Sequence, residues 1–176
     1  MTPAYDLETT GLRLHALALY ELRLLAEGDR DEASRSIGAR LPETWPGSNL
    51  AAGLDVIQAE MSRLRPDHRW VWVIIDRDTS AVVGDVGFHG SPWESDTIEM
   101  GYFVVPESRG RGFATEASRA LIAWTFASTG VTTIVLNISP ENVISLRVAA
   151  RLAVRSYKSA RPGHLSFAVT RHSFLD

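Results

Sequence analysis

Residues 98–117 read IEMGYFVVPESRGRGFATEA, and the interpretation of this stretch decides the fold. The run IEMGYFVV, 98–105, is a strand, bounded by Pro106. Arginine and glycine then cluster over 109–112, and a helix is expected from Phe113 to about Ser128, ending near Gly130. A strand that turns at once into a helix presents free backbone N–H groups and the positive end of a helix dipole, a ready site for phosphate. Gly110 and Gly112 can take positive φ and admit phosphate oxygens to the backbone, while Arg109 and Arg111 add charge. A plain strand-to-helix turn would use the same glycines for its tight geometry alone. Two nucleotide motifs do not fit. A P-loop needs Gly-Lys-Ser/Thr, and no lysine is present here. The dinucleotide pattern GxGxxG has Thr115 at its third glycine and lacks the later acidic residue, since 134–138 reads IVLNI.

Working outward, 70–76 (WVWVIID) and 81–90 (AVVGDVGFHG) flank the turn 77–80 and predict an antiparallel hairpin. Upstream, 10–16 suits a short strand and Leu17, Leu24 and Leu25 recur at helical spacing. The stretch 41–49, with two prolines and a glycine, is loop. Leu50, Leu54, Ile57, Met61 and Leu64 then form the apolar stripe of a helix over about 49–64. Downstream, 91–97 is loop, 132–138 is a strand, and SPEN leads into a helix over about 143–152. Strands at about 154–160 and 165–174 close the chain around the turn Arg161-Pro162-Gly163. Hairpins mixed with strand–helix–strand crossovers mean an α/β sheet with both pairing directions.

The chain has 176 residues, 45% hydrophobic and 22% charged, as for an ordinary globule. The absence of cysteine excludes disulfides, thiolate metal sites and cysteine nucleophiles. No apolar run approaches the ~20 residues of a membrane span, and 1–16 lacks the features of a signal peptide, so a cytoplasmic location is expected. No His/Asp/Glu spacing suggests a metal. Residues 1–100 carry a net −8 and residues 101–176 a net +5, an asymmetry that suits an anionic ligand on one half and a cationic one on the other; solvated surface charge gives the same count. Dispersed basic residues and a pI near 6.0 argue against nucleic acid.

The stretch 98–117 resembles the GNAT N-acetyltransferases. Arg109-Gly110-Arg111-Gly112-Phe113-Ala114 matches their acetyl-CoA loop, Arg/Gln-x-x-Gly-x-Gly/Ala. The flanks, Glu99-x-Gly101-Tyr102 and Gly112-Phe113-Ala114-Thr115-Glu116-Ala117, are similar to the RimJ/RimL-type branch. SPENVISLRVAARLAV, 139–154, resembles that branch's Asn-x-x-Ser helix. The likeness covers about 10–174, read as a single domain. It implies a GNAT fold, an α/β structure with a mixed sheet of about six to seven strands and about four helices. Two positions depart from the pattern. Ala153-Val154 stands where Gly-Phe is usual, and Ala149 where some members place a tyrosine acid.

The activity implied is direct attack of a primary amine on the acetyl-CoA thioester in a ternary complex. The acceptor is a protein N-terminal α-amine or a small molecule. The alternative is a non-catalytic acyl-CoA-binding module on the same fold. The resemblance implies that Phe103 and Val104 pair through their backbone with the pantetheine, and that the N–H groups of 110–115, with Arg109 and Arg111, hold the pyrophosphate. Phe113, Ala114 and Thr115 belong to that cradle, and Asn142 is a further cofactor contact or a helix cap. Glu99 is the candidate base, through water, and Ser145 the candidate acid. Trp45 and Trp93, with nearby Glu43, Glu94 and Asp96, are expected on the acceptor side, where aromatic rings and carboxylates suit a cationic amine. Homodimerisation is left open.

Overall fold

The computed structural model describes residues 5–64, 68–152, 154–158 and 161–175. The elements are β1 (Leu7–Glu8), β2 (Leu12–Ala16), α1 (Leu19–Glu27), α2 (Arg30–Ile37), α3 (Ser48–Arg63), β3 (Val71–Asp76), β4 (Ala81–Phe88) and β5 (Thr97–Val104). A short 3-10 turn, Pro106–Ser108, leads to α4 (Phe113–Ser128), β6 (Thr133–Ile138), α5 (Val143–Ala149), β7 (Arg155–Tyr157), β8 (Leu165–Thr170) and α6 (Arg171–Leu175). The strands form one mixed sheet in the order β1-β2-β3-β4-β5-β6-β8-β7, in which only β5 and β6 are parallel.

The sheet has this form because its central strands are apolar on both sides. All six residues of β3 are buried, as a strand covered on both faces requires. Helix α4 covers one face, with Trp124 edge-on to Trp72 at 5.1 Å between ring centroids. The first three helices cover the other: Arg13 donates to the Ile37 and Gly38 carbonyls at the end of α2, and His15 meets Glu21 of α1. Antiparallel neighbours need only tight turns, whereas the parallel pair needs a crossover, which α4 supplies. Its buried stripe is Phe113, Ala117, Leu121, Ile122 and Phe126.

The sheet has one more strand than the upper expectation, and there are two more helices. Helix α2 was not foreseen because RDEASRSI offers only Ala33 and Ile37 to the core, too little for a periodicity. Its Asp29 cap, accepting from the Glu32 N–H at 3.1 Å, was the available signal. The last strand stops at Thr170, and 171–175 turn into a helix rather than extending to 174. Helix α5 ends at Ala149 rather than 152. Ala153 of the Ala153-Val154 departure lies outside the described residues.

A charged network ties the first strands to α1. His15 lies 3.0 Å from Asp6 through Nδ1 and 3.0 Å from Glu21 through Nε2. The Ser36 hydroxyl donates to Glu21 at 2.8 Å, and the Ala16 and Ala18 amides donate to Asp6 and Glu21. Burial disfavours the charged imidazole, but hydrogen bonds to the two carboxylates outweigh it and raise its pKa from 6.5 to about 9. Burial opposes ionisation of Asp6 and Glu21 too, yet their bonds to His15 hold both below the usual carboxylate range. A raised histidine stabilises the fold fully below 6.5, and the contribution is lost as pH rises through 9; the depressed carboxylates lose theirs as pH falls toward their folded values. Urea unfolding at pH 6 and at pH 9.5 should therefore show the parent losing about 2 kcal/mol more than His15→Gln, after discounting for screening. Equal losses would show that the network does not couple to folding.

Candidate active site

The parallel pair is registered at only three positions: Thr97 with Thr133, Ile98 with Ile134 and Glu99 with Val135. Both strands run on, to Val104 and Ile138, without pairing to each other, so a slot opens between them beyond Glu99. Backbone direction decides what faces it. The His89 N–H donates to the Glu99 carbonyl and the Val105 N–H to the Val83 carbonyl, which makes 99/89 and 105/83 hydrogen-bonded pairs of the β4–β5 ladder. Backbone groups alternate along a strand, so those of Gly101 and Phe103 also turn toward β4. Met100, Tyr102 and Val104 face the slot. The expectation that Phe103 and Val104 both offer backbone groups there is thus corrected: Phe103 spends its groups on Asp85, and Tyr102 takes its place beside Val104.

At the mouth of the slot, Gly110 and Gly112 have φ of 79° and 86°, the left-handed region that favours glycine. Gly112 is the N-cap of α4 and offers no side-chain cap, so the first-turn N–H groups of Phe113, Ala114 and Thr115 point outward as open donors. A Cβ at either glycine would meet no protein atom. Arg109 donates through Nε to the Val104 carbonyl at 3.0 Å, and Arg111 lies 3.3 Å from the buried Asp76 carboxylate and 4.5 Å from the Phe113 ring. Both guanidinium groups are thereby held at the loop. A cavity of about 540 Å³ opens beside Gly112 and Thr115, rimmed by Arg119 and Arg151.

Glu99 sits where the slot begins. Its carboxylate is 3.3 Å from His89 Nδ1 and 3.3 Å from Arg161, and its side chain is 25% exposed. Across the slot, Asn142 caps α5, its Oδ1 accepting from the Ser145 N–H at 3.1 Å. The Tyr102 hydroxyl bridges the gap and donates to the Ser145 carbonyl at 3.0 Å; burial pushes its pKa up to about 12 against that bond. Both main-chain groups of Ser145 are engaged, and its hydroxyl has no partner among the described residues. Ala149, at the tyrosine position, is buried.

The two tryptophans part company. Trp45 is fully buried on the α1–α3 face, its indole N–H donating to Asp85 at 2.8 Å. Trp93 packs with Tyr5, Trp124 and His68 on the α4 side, its ring stacked 4.1 Å from His68. Burial of a large aromatic surface drew it into that cluster, away from Trp45. Sequence reasoning passed over Tyr102, Arg161 and Asp85. The signal for Asp85 was present: a lone carboxylate inside the apolar run VVGDVGF.

The residues present fit acetyl-CoA. The helix start has unused donors, and Thr115 Oγ1, one turn in, is buried without a partner, as a hydroxyl awaiting a ligand would be. Among the described residues, no group of three or more His, Cys, Asp or Glu is placed to hold a metal ion. No helix among them is long and apolar enough to cross a membrane.

The fold is thus an α/β sheet whose splayed parallel pair opens onto an uncapped helix start. The chain belongs to the GNAT acetyltransferases: the family described as Acetyltransferase (GNAT) domain matches residues 12–155. It is an N-acetyltransferase of a fold that uses acetyl-CoA. The uncharacterized N-acetyltransferase YjdG of Bacillus subtilis (strain 168) is 26% identical over 160 residues, covering 90% of this chain and 95% of YjdG. In fold, the chain is similar to the ribosomal-protein-S5-alanine acetyltransferase of Vibrio fischeri, with a TM-score of 0.65 and 16% identity over 96% of this chain and 97% of that one. It is also similar to RimL, a ribosomal L7/L12 α-N-protein acetyltransferase solved with coenzyme A, with a TM-score of 0.61 and 16% identity over 92% and 95%. The resemblance to the RimJ/RimL-type branch holds at the level of fold.

Proposed function

We propose that this protein, acting as one domain over 10–174, moves an acetyl group from acetyl-CoA to a primary amine by direct attack in a ternary complex. The acceptor is a protein N-terminal α-amine or a small-molecule amine. The observation that carries the reading is the edge of β5 left open toward β6 beyond Glu99, running to a helix start with open N–H donors and an orphaned Thr115 hydroxyl. Val104 and Tyr102 offer backbone groups to the pantetheine, the N–H groups of 110–115 take the pyrophosphate, and Arg109 and Arg111 set the local potential. Arg119 and Arg151 at the neighbouring cavity suit a further phosphate of the same molecule.

Three tasks fall to the chain's own residues. The slot brings amine and thioester together, and such orientation is worth roughly 7–11 kcal/mol. Glu99, at the point where the strands part, removes the amine's proton through water; Ser145 Oγ, across the slot, gives a proton to the departing thiolate. An α-amine with a pKa near 8 is about one-fifth neutral at pH 7.4 and a lysine amine about one-thousandth, so the lysine-like acceptor leans harder on Glu99.

Affinity tests the cradle. Acetyl-CoA should bind more tightly than acetyl-pantetheine at low salt, and calorimetry at rising ionic strength should show the difference shrinking. Equal affinity at low salt would remove the pyrophosphate site. Thiol release with a panel of amines tests the transfer; saturable acetyl-CoA binding with no release from any amine would leave only a binding module.

A further inference from the structure

On the α1–α3 face of the sheet, Asp85 of β4 lies in register with Phe103 of β5, and Gly87 with Gly101. Glu99, Gly101 and Phe103 share that face of β5, so between Glu99 and Asp85 runs a floor bare of side chains at its two glycines. Gly47 closes the Phe103 end, packed so tightly that a Cβ there would come within 2.9 Å of the Phe103 ring. The wall is rigid. Arg30 donates to the Trp45 carbonyl at 2.8 Å and the Pro42 carbonyl at 2.7 Å, and this clamp fixes the indole that donates to Asp85.

The charges along this face are not balanced alike. Glu99 has His89 and Arg161 beside it, each at 3.3 Å. Asp85 has the Trp45 indole, and no Arg, Lys or His among the described residues lies within ion-pair distance. The residue is partly exposed on this face, with its carboxyl end turned inward against the Trp45 indole. We propose that Asp85, held from behind by the buried Trp45 indole, is an acceptor-binding residue that receives a second cationic group of the amine substrate on the glycine floor beside Phe103. This rests on the acetyltransferase reading above and narrows its substrate class. Strands lie about 4.8 Å apart and the slot is on the far side of β5, so the second cation stands roughly 7–10 Å from the reacting nitrogen. That is the span of a short aliphatic diamine, or of a basic side chain beside a reacting terminus. Burial, opposed by the Trp45 bond, lifts the Asp85 pKa to about 7, and a cation set against it would restore full ionisation.

The test compares 1,4-diaminobutane with butylamine as acceptors. The parent should show a KM for the diamine at least about 10-fold lower, since a partly enclosed ion pair adds that much. Asp85→Asn keeps an acceptor for the Trp45 indole, so a purely structural role leaves the preference intact; an acceptor role erases it and leaves the KM values for butylamine and acetyl-CoA unchanged. A diamine preference that survives Asp85→Asn, or none in the parent, overturns the proposal while transfer itself stands. Transfer to neither amine leaves the functional reading to the wider panel of amines, and Asp85 is then judged by the Trp45 indole ¹H–¹⁵N resonance, assigned with Trp45→Phe. A shift on adding 1,4-diaminobutane to the parent, but not to Asp85→Asn, keeps the cation site. No shift in either overturns it.

Discussion

Gly112→Val should bind acetyl-CoA about 100-fold more weakly than the parent, a loss of about 2.7 kcal/mol, with the fold retained. Gly112 caps α4 at φ 86°, where a β-branched residue is strained by roughly 1–2 kcal/mol. No protein atom waits where the Cβ would go, so the strain is the whole cost to the fold. At this chain length it lowers Tm by about 2–8 °C. Affinity suffers more, because the chain relieves its strain by rotating the N–H groups of 113–115 away from their common focus, and the added side chain stands in the open space they address. Gly28→Val is the control. Gly28 sits at φ 78° after α1 with equally empty surroundings, remote from the slot. It should show the same thermal loss with unchanged affinity by calorimetry. Parent-like binding by Gly112→Val would reduce that glycine to a turn residue.

Glu99→Gln should lower kcat/KM on an alkylamine by roughly 10²–10³ near neutral pH, with acetyl-CoA affinity unmoved. The amide keeps an oxygen for His89 and Arg161, so the local geometry survives and proton transfer alone is removed. The defect should close as pH rises, since the amine then loses its proton to solvent. A loss independent of pH would mean that Glu99 positions the substrate instead. Ser145→Ala separates the other half of the reaction. The bonds that Ser145 makes to Asn142 and Tyr102 run through its backbone and persist in the variant. The measured change therefore belongs to the hydroxyl. We expect kcat to fall about 10²-fold with no recovery at high pH, whereas a cofactor contact would raise the KM for acetyl-CoA and spare kcat. Near-normal rates for both variants at every pH would leave catalysis to orientation.

Much of the cofactor side was legible because its parts are contiguous. Strand, glycine loop and helix start follow one another over 98–117, and the helix 113–128 lies where its apolar spacing predicts. The proposed acceptor side is assembled from segments far apart in the chain. Trp45 and Trp93 look alike in sequence, as loop aromatics beside carboxylates, yet one anchors Asp85 and the other joins the Tyr5–Trp124 cluster. Nothing local distinguishes them. Which face a loop residue reaches depends on where the helices before it pack, and α2, nearly without apolar residues, left little trace.

By itself, the sequence determined the α/β class, the run of elements from β3 to α5 and the glycine turn at 109–112, all set by periodicities and glycines acting within a few residues of one another. Only the tertiary structure decided which backbone groups face the slot, since that depends on ladder register: pairing Phe103 with Asp85 turns its N–H and carbonyl toward β4 and turns those of Tyr102 and Val104 toward the slot, where the Val104 carbonyl accepts from Arg109. The tertiary structure also decided the charges that face one another. His89 and Arg161 come to Glu99 from 10 and 62 residues away, while Asp85 is set beside Trp45 with no cation among the described residues at ion-pair distance. Long-range pairing, unlike helix formation, is fixed by packing that no local pattern encodes.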